Sequence, residues 1–191
     1  MIPDPLSENE KQILLGLARQ AIEQAVCGAP ALVPDLSCLP ERLQKNGVCF
    51  VTLTNPDGSL RGCIGALEAR LPLAQDVCLH AAAAALDDYR FLPVQPGEVA
   101  GLHIEISRLT DPLPLEYERP EDLLVLIHPG EDGVVLCDGP HRATFLPQVW
   151  EKIPRPEAFL GQLCLKMGVA GDTWRRKKLA VEIYHVEEIH E

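Results

Sequence analysis

Long hydrophobic runs are missing from this chain of 191 residues. A helix that crosses a bilayer needs roughly 18 or more consecutive apolar residues, and no stretch of the sequence approaches that length. The first residues also do not show a cationic segment followed by an apolar one, the pattern of a secretory signal peptide. We therefore expect a cytoplasmic protein that has no membrane partner.

Positive charge is scarce, because 17 lysines and arginines face 28 aspartates and glutamates, for a formal net charge of −11. An acidic chain repels phosphate backbones at long range, so we expect no nucleic-acid partner. The one basic run, residues 174–178, is typical of a solvated turn or helix end. The alternative is a local site for an anion or an acidic partner.

Spacings typical of metal and nucleotide sites are also missing. The sequence has neither paired cysteine pairs nor two histidines on one helical face, and it has no phosphate-binding loop or nucleophile elbow. We predict no metal and no cofactor.

The cysteines number seven, an odd count, and they lie in apparent strands and helices, which indicates reduced thiols that mostly pack in a core.

What the chain does contain is a mixed order of elements. Ser7 and Glu10 are spaced as a capping box, and the apolar residues after them repeat at helical spacing up to Val26. Asn55–Gly58 has the composition of a turn between two strands of a hairpin. The order helix, hairpin, helix, strand, strands, helix, strand predicts an α+β fold with a mixed, mainly antiparallel sheet and packed helices.

The remaining elements follow from the same signals. Further helices are predicted at 73–86 and from Pro156 to about Met167, and residues 123–128 suit either a strand or a helix. The predicted strands are 48–54, 59–65, 102–109, 134–137, 142–145 and 178–186. The proline-rich residues 110–120 are predicted to be an extended connector. They are the best candidate boundary between two sub-lobes of a single domain, residues 1–191.

The strongest candidate for chemistry is Cys63, which lies between two glycines in the segment Leu60–Gly65. Glycines leave the backbone open to a ligand and permit unusual dihedral angles. Arg61 lies two residues away, on the same strand face, and positive charge favours a thiolate. The alternative is a buried thiol in a strand that bends at its glycines.

A second candidate is the polar face of the strand at 102–109. His103, Glu105 and Ser107 alternate with apolar residues and therefore point the same way. A Glu–His pair can transfer protons, and Cys63 can join these residues if its strand lies beside theirs. The alternative is an ordinary solvated sheet face.

Arg90 and Thr144 complete the candidates. Arg90 suits an anionic group held by a bidentate contact, or it forms a short ion pair with Asp88 at the end of a helix. Thr144 precedes Phe145 and Pro147. Phe145 and Trp150 are predicted to lie in the core or at the interface between the lobes.

Several stretches together resemble the AMME chromosomal region protein family, whose bacterial and archaeal members are called AmmeMemoRadiSam system protein A. Leu60–Gly65 is similar to the hallmark hexapeptide of that family. Other matching segments follow in the same order: Asp88–Pro93, Leu102–Leu109, Thr144–Val149, and Lys166–Gly168 followed by Trp174. The resemblance covers about residue 10 to the end of the chain.

The resemblance implies two lobes with a cleft between them. It also implies association with a Memo-like protein, related to extradiol dioxygenases, and with a radical S-adenosylmethionine enzyme. It does not imply a reaction.

Two hypotheses follow. The favoured one is a non-catalytic binding or accessory module, in which Cys63 only packs. The alternative is a thiol-dependent enzyme acting at the cleft on a small molecule or peptide. Its candidate catalytic residues are Cys63 and Glu105, and its ligand-binding residues are Arg61, Gly62, Ile64, Gly65, Arg90 and Thr144.

Overall fold

A computed structural model describes residues 5–191, so the first four residues of the predicted domain 1–191 lie outside the described residues. The chain divides into two compact units. Asp111–Val186 form the second unit, and the first consists of the chain up to Thr110 together with Glu187–Glu191. The second unit is therefore inserted in sequence between two parts of the first.

The described residues form six α-helices and nine strands. The helices are α1 (Glu8–Val26), α2 (Glu41–Gln44), α3 (Leu73–Leu86), α4 (Leu123–Leu126), α5 (Pro156–Lys166) and α6 (Thr173–Arg176). The strands are β1 (Asn46–Thr54), β2 (Leu60–Gly65), β3 (Leu71–Pro72), β4 (His103–Leu109), β5 (Leu113–Pro114), β6 (Gly133–Asp138), β7 (His141–Phe145), β8 (Ala180–Tyr184) and β9 (Val186–His190).

Helix α1 begins as its sequence predicts. The Ser7 hydroxyl accepts a hydrogen bond from the Glu10 amide at 3.3 Å, and the Glu10 carboxylate accepts one from the Ser7 amide at 2.8 Å. These bonds satisfy amides that have no partner within the helix. The predicted capping box is confirmed.

The first unit is built on a sheet in the order β2-β1-β4-β9, with β3 paired to β1. The predicted hairpin is confirmed, because β1 and β2 pair antiparallel on either side of the Asn55–Gly58 turn. Gly58 has a φ of 80°, a left-handed value that glycine adopts without strain. Strand β4 pairs antiparallel with the other edge of β1.

The core of the first unit lies between one face of this sheet and the helices α1 and α3. On β1 the residues Cys49, Val51 and Leu53 are all buried, and on β4 Ile104 and Ile106 are buried with them. Because side chains alternate along a strand, the residues between them point to the other face of the sheet.

The second unit has its own sheet, in the order β5-β8-β6-β7, and its own core. The indole of Trp150 stacks on the ring of Phe159 in α5, with ring centroids 3.6 Å apart and planes inclined by 4°. Phe145 meets the same Phe159 ring edge-on at 5.2 Å. Trp150 is therefore part of the core of the second unit and Phe145 packs against that core, which is one of the two predicted alternatives.

Two expectations from the sequence are corrected. Residues 178–186 were expected to form one final strand, but the chain breaks at His185 into β8 and β9, which belong to two different sheets. Residues 180–190 contain no glycine or proline and are rich in valine, isoleucine and tyrosine throughout, so the sequence gives no sign of the change of sheet. The connector at 110–120 also contains β5, which pairs with β8 through Leu113 and Ile183.

The length and polarity of the helices show whether any of them can span a membrane. Among the described residues, each helix is too short or too polar to cross a bilayer.

Candidate functional site

Three side chains of the first unit lie in a row across neighbouring strands. Thr52 on β1 is the register partner of Cys63 on β2 and, on its other side, of Glu105 on β4. Register partners share a sheet face, and this is the face opposite the core. We call Cys63, Thr52 and Glu105 the Cys63 row.

The thiol of Cys63 contacts the central member of this row. The Thr52 hydroxyl donates a hydrogen bond to the Cys63 sulfur, with Oγ1 and Sγ 3.3 Å apart. The side chain of Cys63 is half-buried. Among residues 5–191, no carboxylate or imidazole forms a hydrogen bond with this sulfur, so the thiol has no general base in direct contact.

The main chain of Cys63 is held by an ion pair from the segment after α3. The Cys63 amide donates to the Asp88 carboxylate at 2.8 Å. The Arg90 guanidinium donates to both oxygens of that carboxylate, at 2.8 Å and 2.6 Å, and also to the Cys63 carbonyl at 3.3 Å. We call Asp88 and Arg90 the clamp, because together they bind both polar groups of the Cys63 backbone.

The clamp carries strong electrostatic coupling. Hydrogen bonds from Arg90 and from the Cys63 amide hold the pKa of Asp88 well below its ordinary value, against the opposing effect of burial. Hydrogen bonds to Asp88 raise the pKa of Arg90. Asp88 is only 4% exposed, so its charge depends on these donors for stabilisation.

Arg61 does not supply the positive charge expected at the thiol. Its guanidinium donates to both oxygens of Glu98, at 3.0 Å and 3.2 Å, and to the carbonyl of Leu92 at 2.9 Å. Its charge is therefore neutralised by Glu98. The cation next to Cys63 is Arg90, and the expected activation by Arg61 is corrected.

The two glycines beside Cys63 make room for the protein itself. A Cβ added to Gly62 would lie 2.1 Å from the backbone oxygen of Ala84 in α3. A Cβ added to Gly65 would lie 2.3 Å from Cγ of Phe50. Close approach of a helix and a ring therefore explains glycine at these positions, and Ile64 packs against the core of the first unit.

Glu105 is close to Thr52 but not to the thiol. It lies two strands from Cys63, and strands are about 4.8 Å apart, so the two side chains are separated by about 10 Å at their backbones. Its carboxylate instead accepts from the Ser107 hydroxyl at 3.2 Å and lies 3.7 Å from Nδ1 of His190. The histidine beside Glu105 is therefore His190, whereas His103 is exposed.

Thr144 belongs to the second unit. Its hydroxyl lies 3.0 Å from the Tyr184 hydroxyl, which in turn donates to the Phe145 carbonyl at 3.1 Å. Since the Tyr184 proton is used in that second bond, Thr144 is the donor to Tyr184. Burial raises the pKa of Tyr184 to about 12.

Sequence reasoning missed Thr52 altogether and missed the contact of Asp88 with Cys63. Thr52 had no distinguishing signal, because its place beside Cys63 depends on the register of the hairpin. Asp88 was noticed only as an ion-pair partner of Arg90. The spacing Asp-x-Arg correctly indicates that pair, but the bond to the Cys63 amide joins residues 25 positions apart.

Comparison with known proteins decides the family. A sequence model of the AMMECR1 family matches residues 15–189. The chain belongs to the AMMECR1 family. The resemblance inferred from the motifs is thereby confirmed.

Archaeal relatives match nearly the whole of this AMMECR1 chain. It is 40% identical over 190 residues to a protein of Thermofilum pendens, a match that covers 92% of the chain and 87% of that protein. It is 38% identical over 193 residues to a protein of Methanothermobacter thermautotrophicus, covering 98% and 97% respectively.

A solved structure is similar as well. The crystal structure of the uncharacterized protein PH0010 from Pyrococcus horikoshii matches with a TM-score of 0.78 and 32% identity, over 97% of this chain and 93% of that one. This similarity agrees with the α+β architecture of the AMMECR1 chain, with its antiparallel sheets and packed helices.

Proposed function

We propose that this protein is a non-catalytic binding module of the cytoplasm, whose recognition surface includes the segment Tyr89–Pro93. The observation that carries the proposal is the state of Cys63. Its amide, carbonyl and thiol are each bound by a residue of the protein, respectively Asp88, Arg90 and Thr52. Such a residue serves as a fixed support, whereas a nucleophile needs a base that takes up its proton.

The segment Tyr89–Pro93 exposes two large hydrophobic side chains to solvent. Tyr89 is 94% exposed and Leu92 is 85% exposed, and they flank Arg90, whose guanidinium is held by Asp88. A turn closed by the bond from the Phe91 amide to the Asp88 carbonyl, at 3.0 Å, shapes the segment. Exposed tyrosine and arginine on a pre-ordered segment are typical of protein–protein hot spots.

The partners that we propose are the Memo-like protein and the radical S-adenosylmethionine enzyme implied by the resemblance to AmmeMemoRadiSam systems. A tyrosine and a leucine on a rigid segment suit an apolar pocket on a folded protein. The segment's own charges are compensated within the clamp, so little desolvation of charge opposes docking.

The test measures the affinity of the purified protein for each proposed partner by calorimetry. Replacing both Tyr89 and Leu92 by alanine is expected to weaken binding by about 30-fold or more, the effect of losing a hot spot worth about 2 kcal/mol. The matched control is Leu79→Ala, which removes another exposed leucine of the first unit and leaves affinity unchanged.

The variant Cys63→Ala distinguishes a stabilising role of Cys63 from a direct role in partner binding. We expect it to lower stability, because the Thr52–Cys63 contact is lost, and to leave affinity unchanged. If the variant with alanine at positions 89 and 92 binds with the affinity of the wild type, the proposed recognition surface is wrong. Loss of binding by a folded Cys63→Ala protein contradicts the supporting role of Cys63.

A thiol-dependent enzyme is the second candidate, favoured by the half-buried thiol that has Thr52 and Arg90 beside it. It requires Cys63 to be alkylated faster than a free thiol at neutral pH. The measurement uses a chain in which the exposed Cys27 and Cys38 are replaced by serine. A rate no higher than that of a free thiol contradicts this candidate.

A further inference from the structure

A second group of reactive side chains lies in the interior of the first unit, on the core side of the sheet. Cys49 projects from β1, and Asp76 and His80 project from α3. Residues four apart on a helix share one face, so the helix presents the carboxylate and the imidazole together to the strand. All three side chains are buried. We call them the Cys49 cluster.

The distances within the cluster suit ligands of one ion. Asp76 Oδ2 lies 3.1 Å from His80 Nδ1 and 3.3 Å from Cys49 Sγ, and the three ligand atoms all lie within 4.8 Å of one another. Zinc binds nitrogen and oxygen at about 2.0–2.2 Å and sulfur at about 2.3 Å. Neighbouring ligand atoms in a tetrahedron are then about 3.3–3.7 Å apart. Small side-chain movements bring the three atoms of the Cys49 cluster to that spacing.

The backbone holds the carboxylate in place independently of any ion. The Cys49 amide donates to Asp76 Oδ2 at 2.9 Å, a bond between β1 and α3. Hydrogen bonds of this kind orient a ligating carboxylate and are a usual companion of metal sites. Because the ligands come from a helix and a central strand, their positions are set by the packed core.

Charge balance further selects the ion. A dication bound by one thiolate, one carboxylate and one neutral imidazole has no net charge, so it can be buried without an unpaired ion. The sulfur and nitrogen donors favour a borderline-soft transition metal and disfavour magnesium and calcium, which prefer oxygen.

We propose that the Cys49 cluster binds one Zn²⁺ ion through Cys49 Sγ, Asp76 Oδ2 and His80 Nδ1, with water in the fourth position. On binding, the Cys49 S–H bond breaks, the S–Zn bond forms and the proton passes to solvent. His80 then carries its remaining proton on Nε2. The ion links β1 to α3, the helix whose C-terminal end leads to the clamp, and the inference does not depend on the proposed partners.

The experiment uses the untagged full chain, stripped with a chelator and titrated with Zn²⁺ in competition with a chromophoric chelator. We expect one Zn²⁺ per chain. Replacing the ion with Co²⁺ is expected to give the near-ultraviolet absorption band of a cobalt–thiolate bond. Cys49→Ser and His80→Gln are each expected to weaken Zn²⁺ binding by about 100-fold or more, since each removes a ligand.

Cys164→Ala is the matched control, because it removes a buried cysteine of the second unit and leaves the cluster intact. It is expected to bind Zn²⁺ as the wild type does. The proposal is overturned if the folded wild type takes up no Zn²⁺, or if Cys49→Ser binds it with unchanged affinity. Should Cys49→Ser fail to fold, the Co²⁺ spectrum of the wild type decides, since bound Co²⁺ without a thiolate band excludes Cys49 as a ligand.

Discussion

Gly62 illustrates how one residue sets the distance between a helix and a strand. Its missing side chain lets β2 approach α3 until the backbone oxygen of Ala84 occupies the position of a Cβ. Backbone atoms cannot move aside as the end of a flexible side chain can. Closeness at this point also brings Cys63, the next residue, within reach of the clamp that follows α3.

We predict that Gly62→Ala destabilises the protein by about 1–3 kcal/mol, the usual cost of overpacking a tight contact. The measurement is the midpoint of urea denaturation followed by circular dichroism. Gly16→Ala is the control, because Gly16 lies in α1 with nothing within 4 Å of the added Cβ. There we expect a gain of about 0.5–1 kcal/mol from reduced backbone entropy. Equal midpoints for the two variants would contradict the packing argument.

Among the elements, α1 depends most visibly on its first turn. Ser7 and Glu10 exchange hydrogen bonds, and Glu10 also lies 3.6 Å from the Arg42 guanidinium. Burial raises the pKa of Glu10, but the bonds from Ser7 and the charges of Arg42 and Arg108 outweigh it and lower the pKa overall. The capping box therefore joins the helix start to a second part of the same unit.

Removing the hydroxyl of Ser7 tests this cap. We expect Ser7→Ala to cost about 1 kcal/mol, the usual loss at an N-cap, measured as a lower urea midpoint. Ser7→Thr retains the hydroxyl, and we expect it to stay within about half of that loss. A Ser7→Ala protein as stable as the wild type would show that water replaces the cap without cost.

At the scale of the whole molecule, carboxylates whose pKa values are lowered by folding make the folding stability depend on pH. Arg61 and the Gln95 amide lower the pKa of Glu98, as Arg90 lowers that of Asp88. A group whose pKa is lower in the folded state binds protons more readily when unfolded. Its contribution is complete above the unfolded pKa of about 4 and is lost as the pH falls through the folded value.

We therefore predict that the urea midpoint changes little between about pH 7 and pH 5 through these carboxylates, and falls steadily from about pH 5 to pH 3. Asp88→Asn is expected to be less stable than the wild type at pH 7, and its decline below about pH 4 is expected to be shallower. The measurement is the midpoint as a function of pH at constant ionic strength. Parallel curves for the two proteins would exclude Asp88 as a source of the acid dependence.

The elements that were predicted correctly have local causes. Helical spacing, a capping box and a leading proline specify α1 and α3, and a proline–glycine turn specifies the hairpin of β1 and β2. The predicted final strand at 178–186 divides at His185, and this was missed because no glycine or proline separates β8 from β9. Which sheet a strand joins depends on distant strands and not on its own residues.

The residues of the candidate site likewise fall into those that the sequence indicated and those that only the structure showed. Cys63 and Arg90 were found because glycines and an Asp-x-Arg spacing are visible in the sequence, whereas Thr52 was not found. The Cys49 cluster was missed for a similar reason. A search for paired histidines passes over Asp76 and His80, and Cys49 lies 27 positions before Asp76.

The amino-acid sequence alone was thus sufficient to predict the α+β class, most helix and strand positions and the family. These follow from local patterns of residues that are close together in the sequence. Folding determined which charged groups bind the Cys63 backbone, that Thr52 contacts the Cys63 thiol, and which side chains lie around Asp76. The reason is physical: a hydrogen bond or a metal ligand requires atoms about 3 Å apart, and strand register and helix packing bring remote residues to that distance.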